Sequence, residues 1–282
     1  MPSPPLLVGE RINAQGSQMA KRLLLAGDYD GIVELGRQQI AAGAHVLDVC
    51  VAMPEAADEA ALMASVVKRL SMRLDVPLMI DTIEASVVAR AVEQIPGRAI
   101  VNSIDLARGR GRVDAVMPMV VQNGAAIVAL TIDEAGPAKS AARKLEIARR
   151  LYDIVVGEYG VPPDALLLDP VTFTLGTGNA EWVDSARETI DGIRAIKREC
   201  PDALTILGVS DVSFKLPPAA RPVLNSVFLE LCVEAGLDAA IVDPARIHPV
   251  ATITQEERRL AEDLVFNRAS DVLARFVARF TH

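Results

Sequence analysis

A chain of 282 residues that is 51% hydrophobic and 23% charged has the material for a large core and is too apolar to be disordered. Its net charge of −8 argues against nucleic acid or an anionic membrane surface as the partner. Cys50, Cys200 and Cys232 have no metal-type spacing, so no metal-ligand set is expected. No apolar stretch nears the ~18–20 residues of a membrane span, and the opening MPSPPLLVGERIN has neither a basic region nor a long apolar run. The expectation is a cytoplasmic protein.

Along the chain, short apolar runs alternate with amphipathic stretches. The pattern predicts strands at Leu6–Gly9, His45–Val51, Val76–Ile80, Arg98–Asn102, Ala125–Thr131, Ala165–Asp169, Leu204–Val209 and Ala239–Val242. The helical partners are predicted, in the same order, over Tyr29–Ala42, Glu59–Leu74, Ala85–Ile95, Val113–Gln122, Ala141–Tyr159, Ala180–Cys200, Pro222–Ala235 and Thr254–Phe280, the last broken near Asn267–Ser270. The strands are unbroken and rich in β-branched residues, as in parallel strands buried on both faces. Gly43, Gly124, Gly160 and Gly236 each stand just before a strand, where a helix ends. Eight such pairs in a length close to the ~250 residues typical of the architecture predict a (β/α)8 TIM barrel, a single domain over residues 1–282. A doubly wound open sheet shares the alternation, but nothing like GxGxxG follows the first strand.

The polar side chains are the informative feature. Each strand ends in a group able to hydrogen-bond: Glu10 and Asn13, then Asp48 and Cys50, Asp81, Asn102, Thr131 and Asp133, Asp169, Ser210 and Asp211, and Asp243. In a parallel barrel these ends share one face, where such folds keep their sites. An aspartate at a strand end often only caps the next helix, but unpaired buried carboxylates cost too much for so many to converge for packing alone. His45 lies at the opposite end and is read as structural. Ionised Asp only accepts hydrogen bonds, and Asn both accepts and donates. The set therefore suits an uncharged, donor-rich heterocycle such as a pterin ring. A phosphate would call for basic residues or a glycine nest. Gly176-Thr177-Gly178, with no Lys or Arg close by, reads as a loop.

Gly9-Glu10-Arg11-Ile12-Asn13, Ile80-Asp81-Thr82, Val101-Asn102-Ser103, Leu168-Asp169-Pro170 and Gly208-Val209-Ser210-Asp211-Val212-Ser213 resemble, in order and spacing, the pterin-binding methyltransferases. That family comprises the folate module of cobalamin-dependent methionine synthase and the methyltetrahydrofolate:corrinoid/iron–sulfur protein methyltransferase. Arg221-Pro222…Asn225…Phe228-Leu229 and Gly236-Leu237-Asp238-Ala239-Ala240-Ile241 extend the likeness over nearly the whole chain. The resemblance implies a dihydropteroate-synthase-like barrel that pairs as a homodimer. It implies that Asp81, Asn102 and Asp169 hold the pterin edge, with Glu10, Asn13, Asp48 and Ser210 in the binding set. Arg221 would contact the folate or shape the loop after the seventh strand. The methyl group would pass from N5 of 5-methyltetrahydrofolate to the cobalt of cobalamin on a corrinoid protein supplied in trans, with Asn102 and Asp211 as the catalytic pair.

Two positions depart from the family pattern. Cys50 and Asp211 stand where the family has Asn, the second being the group set at N5. An amide-like N5 anion is a poor leaving group, so N5 must gain a proton or a strong hydrogen bond as the C–N bond breaks. A protonated Asp211 could donate, whereas an ionised one would accept from an already protonated N5. The alternatives are a dihydropteroate synthase-like enzyme and a non-catalytic folate-binding barrel. The first lacks its Asn-Val-Thr-Pro-Asp-Ser-Phe-type motif here and is echoed only by Arg246-Ile247-His248.

Overall fold

The computed structural model describes residues 5–281. Eight strands close a barrel: β1 (Leu6–Asn13), β2 (Val46–Cys50), β3 (Leu78–Asp81), β4 (Ile100–Ile104), β5 (Ala126–Leu130), β6 (Leu166–Asp169), β7 (Leu204–Gly208) and β8 (Ala239–Val242). Every neighbouring pair is parallel and consecutive in sequence, with β8 returning to β1. The helices are α1 (Gln18–Leu25), α2 (Tyr29–Ala41), α3 (Glu59–Ser71), α4 (Ala85–Val92), α5 (Gly111–Asn123), α6 (Ala141–Tyr152), α7 (Ser185–Glu199), α8 (Ala220–Glu234), α9 (Gln255–Val265) and α10 (Val272–Arg279). No helix is long and apolar enough to cross a membrane, among the described residues.

Side-chain spacing explains how the outer layer seats. On α7, Ala186, Thr189, Ile190, Ile193 and Ile196 recur at helical spacing and are all buried. Each strand gains from being covered on both sides; all five residues of β2 are buried. His45 is structural, its Nδ1 accepting the Leu7 N–H at 3.0 Å.

The elements differ from the sequence reading in instructive ways. β1 runs four residues further, through Asn13. It carries a bulge between Gly9 and Ile12, where one extra residue faces β2. The buried Gln39 of α2 makes the bulge possible, its Oε1 accepting the freed Arg11 N–H at 2.7 Å. A Cβ on Gly9 would come within 2.6 Å of that same oxygen, so any larger residue would have to displace the Gln39 amide that supports the bulge. β4 is shifted to Ile100–Ile104 and bulges between Asn102 and Ile104. Helix α1, capped by the Ser17 hydroxyl at 3.3 Å, was not expected. α7 starts at Ser185 rather than Ala180. The break in the last helix lies where the pattern put it, between α9 and α10.

Candidate functional site at the barrel mouth

The bulge in β1 lies beside Glu10 and Asn13 at the C-terminal barrel mouth. There Glu10, Asn13, Ser210, Asp211 and Arg221 line one cavity of about 530 Å³, with Asn225 and Asp243 in its wall. The Ser210 hydroxyl donates to Glu10 Oε1 at 2.8 Å. Arg221 Nε donates to Ser213 Oγ at 3.2 Å, which sets the guanidinium beside the loop that follows β7. Asp243 is held between Arg11 at 3.4 Å and Arg246 at 3.5 Å and also caps Ala245 N at 3.3 Å.

A second cleft of about 250 Å³ adjoins it, lined by Asp169, Thr172, Phe173, Gly208 and Asp211 among others. Phe173 stacks on Trp182 with ring centroids 4.0 Å apart, giving the cleft an aromatic wall. Asp169 Oδ1 accepts the Val171 N–H at 2.7 Å. Asp211 belongs to both cavities. Its carboxylate folds back over Gly208, where a Cβ would approach Oδ2 to 3.0 Å.

Asp48, Asp81 and Asn102 line neither cavity. They fall into two pairs, one of them tied to β1: Asn102 Nδ2 donates to Asp48 at 3.4 Å, and Asn13 Nδ2 to Asp81 at 3.5 Å. The Asn13 side-chain Oδ1 is spent on the turn after β1, accepting Gln15 N and Gly16 N at 2.9 Å each. The Cys50 thiol neighbours the Asp81 carboxylate and works against the rise that burial gives it.

Burial gives these carboxylates an unusual electrostatic state. Desolvation pushes Asp169 up to about 7, opposed by the Val171 N–H, raised further by Asp211 and opposed by Lys144. Asp48, 2% exposed, is raised well above the ordinary range by burial and by the neighbouring Asp81, which is itself raised by burial. Burial raises Glu10 too, against the Ser210 hydroxyl, with Asp211 and Asp243 adding to the effect. Burial also raises Asp211, opposed by the Arg221 guanidinium. The mouth therefore holds acids that keep their protons more tightly than ordinary carboxylates do, and a protonated carboxyl can donate as well as accept.

Not every expected residue belongs here. Asp133 is buried but satisfied: it pairs with Arg143 and, at 2.9 Å, with Arg150, and caps Ala135 N at 3.1 Å. It locks α6 to the strand end. Gly176-Thr177-Gly178 is a packing loop, with Leu175 N bonded to Val212 O at 2.9 Å and a Gly176 Cβ that would sit 2.4 Å from Phe214 O. Asn225 was quoted in the sequence motif without a role. It is 6% exposed, and its Oδ1 has no hydrogen-bond partner. An amide inside the apolar run Leu224–Leu229 was the available signal.

With this geometry in view, the comparisons are specific. The model of the pterin binding enzyme family matches residues 9–243. Methionine synthase of Mycobacterium tuberculosis is 43% identical over 266 residues, covering 93% of this chain and 22% of that protein. Methionine synthase of Mycobacterium leprae is 41% identical over the same shares. The chain thus spans about a fifth of the length of these relatives, 22% in each. Dihydropteroate synthase from Xanthomonas albilineans in complex with 7,8-dihydropteroate superposes with a TM-score of 0.60 at 17% identity, covering 99% of this chain and 95% of that one. Dihydropteroate synthase from Coxiella burnetii in complex with pteroic acid gives 0.62 at 16% identity, over 92% and 95%. At such identities the likeness is one of fold.

Proposed function

The chain belongs to the pterin-binding enzyme family, and from that premise we propose that it binds a reduced folate across the barrel mouth and moves the N5 methyl group to the cobalt of a corrinoid-carrying protein or domain. The observation that carries this reading is Asp211, an acid at the rim that is shared between the Asp169 cleft and the open mouth cavity. In this reading Asp81, Asn102 and Asp169 take the amine and N–H edge of the pterin. Glu10, Asn13, Asp48, Ser210 and Arg221 complete the surround. Asp211 faces N5.

The corrinoid would supply a cobalt nucleophile. The chain's own residues supply orientation and a proton. Fixing the pterin edge holds N5 at one place in the mouth, and the protonated Asp211 carboxyl donates to N5 as the C–N bond weakens. Arg221 sets how easily that acid gives up its proton, since its charge favours the carboxylate. The mouth is rimmed by the exposed Phe214 and Met19, which leaves room for a second protein surface above the pterin.

The test is transfer of isotope-labelled methyl from 5-methyltetrahydrofolate to free reduced cobalamin. Label in the cobalamin fraction is expected; tight folate binding with no transfer at any pH would leave a non-catalytic folate-binding barrel. The second reading is a dihydropteroate synthase-like condensation, favoured by Arg246 lining the mouth cavity. Release of pyrophosphate from a pterin pyrophosphate and an aminobenzoate would select it instead.

A further inference from the structure

Lys144 of α6 is fully buried, 0% exposed, and lines neither cavity of the mouth. Its Nζ donates to the carbonyls of Ala138 at 2.8 Å, Pro170 at 2.8 Å and Val171 at 3.1 Å. An ammonium has three N–H donors and a neutral amine two. Three carbonyls therefore form a receptor for the cation. Helix α7 is kept clear for the stem, because a Cβ on Gly192 would lie 2.8 Å from Lys144 Cδ.

Two of these carbonyls belong to the turn that follows Asp169. Val171 sits at φ 48°, a conformation that β-branched residues avoid. Its carbonyl is held a second time, by the Thr189 hydroxyl at 3.0 Å, and its N–H holds Asp169 Oδ1 at 2.7 Å. One connected path thus runs from the ammonium through the turn to the carboxylate. Asp169 faces the carboxylate of Asp211, the ammonium of Lys144, and the N–H groups of Val171 and Gly208. Lys144 faces Asp169 and Glu188; burial pushes it down to about 8, against the pull of both carboxylates.

We infer that Lys144 is a positioning residue of the mouth: its ammonium clamps the turn that orients the Asp169 carboxylate and places a positive charge beside it. The part Lys144 plays in pterin binding rests on the proposed function; the charge it places beside Asp169 does not.

The experiment is Lys144→Met, a neutral side chain of similar length, with Asp169 followed by carboxyl carbon NMR in the ligand-free protein and assigned by Asp169→Asn. Removing the cation should move the Asp169 midpoint up by about one pH unit or more. Affinity for 5-methyltetrahydrofolate should fall several-fold at pH 7 and recover toward pH 9, where Asp169 ionises again. A role in packing alone would leave the midpoint in place and weaken binding equally at every pH, and that result overturns the inference. If Lys144→Met does not fold, the wild-type protein decides. The Lys144 side-chain signal, assigned through its contact with the Phe173 ring at 5.9 Å, should show an inflection at the Asp169 midpoint, and a flat response overturns the inference. A shifted midpoint in a protein whose wild type binds no folate would uphold Lys144 and reject the proposed function.

Discussion

In the proposed reaction, Asp211 is the residue on which the chemistry turns. Its carboxyl is raised above the ordinary range by burial, and Arg221 restrains the rise. A rate that needs the protonated acid falls as pH climbs through its midpoint. Asp211→Asn should keep substantial single-turnover methyl transfer, since an amide still donates, but should lose that falling limb. Asp211→Ala should lower the rate by roughly 10²–10⁴, the usual range for a positioned proton donor, and by more than it weakens folate binding. An Ala variant with the wild-type rate and profile would leave Asp211 as a turn-forming residue only. Asp169 provides a stability test of the same electrostatics. Because its folded-state midpoint is pushed up to about 7, the folded protein holds that proton more tightly than the unfolded chain does. The cost of the ionised carboxylate is fully present above about pH 7 and fades as pH falls toward the unfolded value near 4. Asp169→Asn should therefore raise the melting temperature at pH 8.5, by roughly 2–4 °C for each kcal/mol relieved, with the gain gone by pH 4. An equal gain at both pH values would point to packing instead.

At the scale of elements, two loops matter most: the segment after β6 is seated on the loop that carries Ser210 and Asp211. Thr174 Oγ1 donates to Phe214 O at 2.5 Å, and Gly176 lies so close to that carbonyl that a Cβ would overlap it. Gly176→Ala should displace the Asp211 loop and slow transfer by about tenfold or more, since a misplacement near 1 Å can cost 10²-fold. Gly97→Ala, with open space around it, is the control and should leave the rate unchanged. The elements also show what a linear reading can and cannot extract. The strand–helix alternation was legible because buried parallel strands and amphipathic helices leave different periods in the sequence. The bulges in β1 and β4 were not, because a bulge depends on what sits opposite: Gln39 comes from a helix about one turn of the fold away. α1 was missed because eight residues give too few repeats for a period to stand out. Lys144 lies in a charged amphipathic helix where a lysine normally faces water. The pairing of Asp133 with Arg143 and Arg150 is likewise spatial and carries no sequence signature.

For the molecule as a whole, convergence at one barrel end was the most informative part of the sequence, because a parallel barrel forces every strand to present its C-terminal residue to the same mouth. What the sequence did not separate were the layers of that mouth. Glu10, Ser210, Asp211 and Arg221 front a cavity, whereas Asp48, Asp81 and Asn102 do not line it: Asn102 bonds Asp48, and Asp81 bonds Asn13. The family resemblance also implies a pair of barrels. Light scattering at micromolar concentration should give twice the 30.1 kDa chain mass, and the mass of one chain would refute it. The most direct test of the central claim is calorimetric titration of 5-methyltetrahydrofolate at pH 7.5 into the wild-type protein and Asp169→Ala. Saturable binding by the wild type is predicted, weakened in the variant by about 1–3 kcal/mol, the cost of leaving buried polar partners unpaired. No binding by the wild type, or equal affinity in the two proteins, would contradict a pterin site at this mouth.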